Sequence, residues 1–198
     1  MLGALLASCH TSGQRAQSEA SFVPGEVIVK FAEGSPGAPP VTRSGENPLE
    51  EPAFSSFLLS LSKEVGIPFQ PAQVTSGREV LIAIDEVQLR ESLLRRLRQD
   101  SRVKDVEAVT PERKYISDKP QTHFVVALSD PLRSESERQR FTADLEKDLG
   151  IPLARSVSAE NDLVLILDLK PLTLQLVAKL QTRAEVEYAQ TNAVLEPQ

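Results

Sequence analysis

Proton transfer, nucleophilic catalysis and metal binding each need particular side chains brought together, and this chain supplies few of them. It has two histidines, His10 and His123, and one cysteine, Cys9, in 198 residues. A Ser-His-Asp arrangement needs a histidine held between a hydroxyl and a carboxylate. His10 lies in a polar, small-residue-rich stretch that runs to Ser21, and His123 opens a β-rich run, where a surface or edge position is expected. Neither position suggests a catalytic base. Metal sites need clustered Cys, His or carboxylates. Asp144, Glu146 and Asp148 instead spread along a helix face and read as solvating groups. Gly34, Gly37 and Gly45 are scattered among Pro and Ser and form no phosphate-cradling loop. The expectation is a protein with no catalytic residues, no cofactor and no metal.

The charge balance narrows the partners. A formal net charge of −6 argues against nucleic acid, which usually needs a basic face. Arg90, Arg95, Arg96 and Arg98 do cluster, but they interleave with Leu93, Leu94 and Leu97 at helical spacing and read as a solvated helix face. No stretch approaches the ~20 apolar residues of a membrane-spanning helix. The N-terminus suggests a different link to a membrane. Leu6-Ala7-Ser8-Cys9 resembles a bacterial lipobox, in which small residues precede a cysteine that becomes lipidated. The apolar stretch before it, Met1 to Leu5, is short for a signal peptide and lacks the positive n-region. Because Cys9 is the sole cysteine, no disulfide competes for it. The polar stretch after it suits a tether. The resulting expectation is a bacterial cell-envelope protein, lipid-anchored through Cys9 or secreted.

Aromatic residues are few, with no Trp and two Tyr, so the core must be built from Leu, Val and Ile. The apolar pattern repeats once. In the first copy, Glu26 to Phe31 reads as a strand, and Phe54, Phe57, Leu58, Leu61 and Val65 recur at helical spacing. Gly66 stops that helix and Pro68 follows. Phe69 to Thr75 and Arg78 to Asp85 read as strands, Leu89 to Leu97 as a helix, and Val103 to Val109 as a strand. The second copy has the same order. It runs through a strand from His123 to Leu128 and a helix opened by the capping-box pair Ser134 and Glu137. Strands over Leu153 to Ser158 and Leu163 to Leu167 follow. A helix then carries Pro171 in its first turn, and a last strand and tail begin at Val186. Gly150-Ile151-Pro152 repeats Gly66-Ile67-Pro68.

This succession predicts an α+β protein of two tandem ferredoxin-like (βαββαβ) domains. Each would be an antiparallel four-stranded sheet with two helices on one face. The expected boundaries are a signal remnant and tether over 1–21, one domain over 22–116, a linker over 117–121 and a second domain with a C-terminal tail over 122–198.

Two segments carry a family resemblance. Phe22-Val23-Pro24-Gly25-Glu26-Val27-Ile28-Val29-Lys30-Phe31 resembles the opening strand of subtilisin propeptides, and Val186 to Val194 resembles their closing strand and tail. Asp105 to Tyr115 is similar to the same closing region. The resemblance to this family of peptidase inhibitors implies a partner, a subtilisin-like serine protease. It also implies a binding mode through the open face of a sheet, with a product-like tail in the substrate cleft. The residues implied are Gln190, Thr191 and Asn192, which stand where some members carry carboxylates. Beyond them are Leu195, Glu196, Pro197 and Gln198, with Leu195 entering an apolar pocket of the protease. Two other readings fit the same residues: a structural or interaction lipoprotein that does not bind proteases, and a precursor fragment of a subtilisin-like enzyme.

Overall fold

In the computed structural model, which describes residues 22–35, 49, 51–76, 79–109, 122–130, 132, 134–157 and 162–193, the chain order of elements repeats once. The first half holds β1 (Phe22–Phe31), α1 (Pro52–Val65), β2 (Phe69–Ser76), β3 (Glu79–Ile84), α2 (Glu86–Gln99) and β4 (Val103–Val109). The second holds β5 (Thr122–Leu128), α3 (Glu135–Leu149), β6 (Ala154–Val157), β7 (Leu163–Leu167), α4 (Leu169–Gln181) and β8 (Val186–Ala193). The protein is thus α+β, with two four-stranded antiparallel sheets and four helices among the described residues.

Local chemistry sets the ends of these elements. Helix α1 starts with Pro52 in its first turn, where the missing N–H costs nothing. Helix α3 starts with a capping box: the Glu137 N–H donates to Ser134 Oγ (3.2 Å) and the Ser134 N–H donates to Glu137 Oε2 (3.1 Å). Both helices end at a glycine in the left-handed region, Gly66 (φ 73°) and Gly150 (φ 67°), which a side chain would strain. Asp85 and Asp168 cap α2 and α4, accepting from the Gln88 and Lys170 N–H groups at 2.9 Å each. Leucines four apart then line the buried faces, Leu89, Leu93 and Leu97 on α2 and Leu172, Leu176 and Leu180 on α4.

The sheets do not divide the chain where the sequence suggested. Their strand orders are β2-β3-β1-β8 and β4-β5-β7-β6. The last strand of each half therefore completes the sheet of the other half. The helix preceding each of these strands moves with it. Helix α4 packs against β1 and β8 and lies beside α1. There Lys179 Nζ donates to the Val65 carbonyl (2.8 Å) and Arg183 pairs with Glu64. Helix α2 packs against β4 and is tied to α3 by an ion pair. Arg96 pairs with Asp148 (2.6 Å) and Arg102 with Asp144 (3.2 Å), and the Arg102 guanidinium lies 4.4 Å over the Phe141 ring.

This corrects the expectation that each half forms its own sheet. No boundary between sheets falls at 117–121, a segment outside the described residues, because β4 pairs with β5 across it. The physical reason is that period-two alternation decides which face a strand buries but does not choose its neighbour. Val106 of β4 and Ala189 of β8 are both buried at the middle of their strands, so one pattern serves either sheet.

Beside the exchanged α2, Asp100 and Arg102 form a tight local pair. Asp100 Oδ1 accepts from Arg102 Nε (3.0 Å) and from the Arg102 backbone N–H (2.9 Å), and Oδ2 accepts from Nη2 (2.8 Å). These bonds hold the Asp100 carboxyl below the usual carboxylate range. A carboxyl lowered on folding stabilises above its unfolded pKa of about 3.9 and loses that contribution as pH falls through the lowered value. Asp100→Asn should therefore cost stability at neutral pH and flatten part of the acid-side loss. Thermal melts of both proteins from neutral pH down to about pH 3 read this directly. Parallel curves for the two would refute it.

Candidate functional site

The open face of the first sheet, turned away from α1 and α4, is built by alternation along three strands. On β1, Val27, Val29 and Phe31 are buried in the core, which leaves Glu26, Ile28 and Lys30 on the other side. On β3, Val80, Ile82 and Ile84 are buried and Glu79, Leu81 and Ala83 face out. On β8, Ala189 faces Val29 in the core, so Tyr188 and Gln190 stand opposite Lys30 and Ile28 on the open side. Ile28 faces Leu81 across the central pair, and both are half-buried. The centre of the face is therefore apolar.

A polar rim surrounds that centre, and its groups hold one another. Asn192 Nδ2 donates to Glu26 Oε2 (2.8 Å). Lys30 Nζ donates to Glu187 Oε1 (2.7 Å) and lies 5.6 Å from the centre of the Tyr188 ring. The Tyr188 hydroxyl donates to Glu79 Oε1, and that bond to a carboxylate pushes the phenol pKa up, so the hydroxyl stays protonated. These bonds run between halves of the chain: Glu26, Lys30 and Glu79 come from the first, and Glu187, Tyr188 and Asn192 from the second. The face exists only because β8 crosses over.

The structure separates the residues expected to act together. Gln190 is exposed on the open face and Asn192 is half-buried there against Glu26, whereas Thr191 lies opposite Val27 and shares that residue's side of the sheet. Cys9, Leu195, Glu196, Pro197 and Gln198 lie outside the described residues. The reading missed Glu26, Lys30, Glu79 and Tyr188. Charged residues alternating with valine and isoleucine over Glu26 to Lys30 were the available signal, but their partners could not be found without the pairing of β1 with β8.

Among the described residues, the second sheet offers no comparable polar cluster. Its central strand places His123 between Val109 on β4 and Ile166 on β7, so the histidine faces neither a hydroxyl nor a carboxylate across the sheet. It is half-buried on a central strand, not on an edge. Leu163, Leu165 and Leu167 are buried in the core. Among the described residues, no group of three or more His, Cys, Asp or Glu could hold a metal ion. No described helix is long and apolar enough to cross a membrane.

No family model, no curated protein and no solved structure matches the chain.

Proposed function

We propose that the protein binds a partner protein through the open face and C-terminal edge of the first sheet, as a tethered, propeptide-like inhibitor or folding helper of a subtilisin-like serine protease. The observation that carries this reading is the position of β8. It is an edge strand, it supplies Tyr188, Gln190 and Asn192 to a face with an apolar centre, and the chain continues from its end toward Leu195 and Gln198. A surface and a tail that start from one sheet edge suit a partner that takes an extended segment by main-chain pairing while the sheet face rests on its surface. The internally bonded rim supports the same reading, because groups held in place before binding lose less freedom on association. The reading assigns the chain no chemistry of its own.

The strand order supports the finer fold assignment as well. The order β2-β3-β1-β8 is that of a ferredoxin-like βαββαβ unit whose final strand comes from the other half, and β6-β7-β5-β4 is its counterpart. The proposed fold is two such units that have traded their last helix and strand. The proposed location is the bacterial envelope, with a lipid on Cys9 and residues 10–21 as spacer. Intact mass spectrometry of protein expressed with its native upstream sequence tests the lipid, and a mature chain lacking it would sink that part.

The functional test is a titration against a panel of subtilisin-like enzymes, using the full chain and one lacking Leu195 to Gln198. The truncation should weaken inhibition sharply and leave the melting temperature nearly unchanged, because residues past the last strand bury little in the free protein. Leu195→Ala alone should cost about 1–3 kcal/mol of binding, the worth of one buried aliphatic side chain. Absence of inhibition by the full chain at micromolar concentration would end the protease reading.

A further inference from the structure

The exchange of helix–strand elements poses a choice that the two halves must make correctly, because α2–β4 and α4–β8 are built on one plan. Both helices follow a one-residue Asp cap. Their following turns also match. The Val103 N–H donates to the Asp100 carbonyl (2.9 Å), and the Val186 N–H donates to the Arg183 carbonyl (3.1 Å). The Arg102 carbonyl accepts from Ser129 (2.9 Å), and the Glu185 carbonyl accepts from Ala32 (2.9 Å). Arg102 and Glu185 thus occupy corresponding places, and counting back from them Glu86 corresponds to Leu169 and Arg90 to Thr173.

Three contacts distinguish the elements. The first lies under the start of β1. The Gly25 N–H donates to Thr173 Oγ1 (2.7 Å), Thr173 is fully buried, and Leu169 Cδ1 lies 3.4 Å from where a Gly25 Cβ would be. Placed there, α2 would bring Glu86 and Arg90 into those buried positions. Even paired with each other at that four-residue spacing, these charges taken out of water cost more than the apolar Leu169 and the hydrogen-bonded Thr173 they would replace. The second lies at α3, where Arg102 pairs with Asp144 and covers Phe141. Placed there, α4–β8 would set Glu185 against Asp144, two like charges in one spot. The third lies at α1, where Glu64 pairs with Arg183. The residue of α2–β4 corresponding to Arg183 is Asp100, so α2–β4 placed there would set two carboxylates together. Arg96 and Lys179 correspond, so Asp148 finds a cation in either arrangement.

We propose that Leu169 and Thr173 against Gly25, together with Arg102 against Asp144 and Arg183 against Glu64, form a recognition code that makes each half the specific partner of the other's terminal helix and strand within one chain. The groove beside β1 and α1 is selective for a helix whose first turn presents Leu and Thr. It rejects one that presents Glu and Arg.

Disulfide reporters read the choice in the full chain carrying Cys9→Ser. Ile28→Cys with Gln190→Cys spans a pair that faces each other in the exchanged sheet. Ile28→Cys with Glu107→Cys spans the corresponding pair if β4 returned to β1. Facing Cα atoms in an antiparallel pair lie within disulfide reach. After refolding under a thiol–disulfide buffer, the first reporter should close and the second should not, and the closed product should be an intrachain monomer on a non-reducing gel. Glu86→Leu with Arg90→Thr makes α2 acceptable to the first sheet at positions that are exposed and half-buried in the present fold, so folding should survive. It should shift the ratio of the two reporters toward the second by roughly tenfold or more. Asp144→Arg, which rejects Arg102 and welcomes Glu185, should shift it the same way by a few-fold. An unchanged ratio in both variants, or closure of the first reporter only between chains, overturns the proposal. If the double variant fails to fold, Asp144→Arg alone decides, by a shift or by none.

Discussion

A chain ending at Asp168 should lose the first sheet, although every residue of β1, β2 and β3 is retained. The truncation removes α4 and β8 and with them the buried side chains Leu169, Leu172, Leu176, Leu180, Val186 and Ala189. At about 1.5–3 kcal/mol for each large aliphatic side chain, the four leucines alone represent about 6–12 kcal/mol of burial. That is comparable with the whole stability of an ordinary domain, about 5–15 kcal/mol. It also strips β1 of its edge partner and the Gly25 N–H of its acceptor. The second sheet keeps all four of its strands and both helices beside it, since α2 and β4 come from the retained part. Hydrogen exchange should therefore show fast amides at Val27, Val29 and Ile82 and protected amides at Phe124, Val126 and Leu165. Two independent halves would give the reverse, with the first sheet intact and the second ruined. Protection retained across β1 in the truncated chain would refute the exchange.

Phe31→Ala should be among the most damaging single substitutions in the described fold. The ring is fully buried at the end of β1 and packs edge-on against Phe54 and Phe57, with centroids at 6.3 and 5.5 Å. Its backbone partner is Val186, at the start of the exchanged strand. Removing the ring leaves a cavity where α1 and the crossing strand meet β1, so neighbours on three elements lose contacts. Large-to-small changes of this kind cost about 3–5 kcal/mol. For a chain of this length that corresponds to roughly 6–20 °C in melting temperature. Leu174→Ala is the matched control. That leucine is 51% exposed on α4 and should stay within about 0.5 kcal/mol of the parent. A melting temperature for Phe31→Ala within a few degrees of the control would show that the ring does not anchor the crossing strand.

The elements themselves were legible in the residues. Leucines four apart, the glycines at 66 and 150, the Ser134–Glu137 capping box and the apolar alternation of 163–167 each report local chemistry that acts over one or two turns. The expected strand over Val103 to Val109 is found with those bounds, and β1 begins four residues earlier than expected because Phe22 also pairs with Ala193. Of the three β8 residues named through the resemblance, Gln190 and Asn192 lie on the open side of the strand and Thr191 on the other.

Which strands lie side by side was decided only in three dimensions. Alternation is the same for β4 and β8, and either would bury a small aliphatic side chain in either sheet. The choice rests on contacts between residues far apart in the chain, such as Gly25 with Thr173 and Arg102 with Asp144. These compare a fit with a misfit at a place that does not exist until the sheets have formed. By itself the sequence determined two repeats of strand, helix, strand, strand, helix and strand, and which face of each is apolar. The tertiary structure decided that the repeats complete one another, because pairing energy depends on who meets across the sheet, and a one-dimensional pattern carries no record of that.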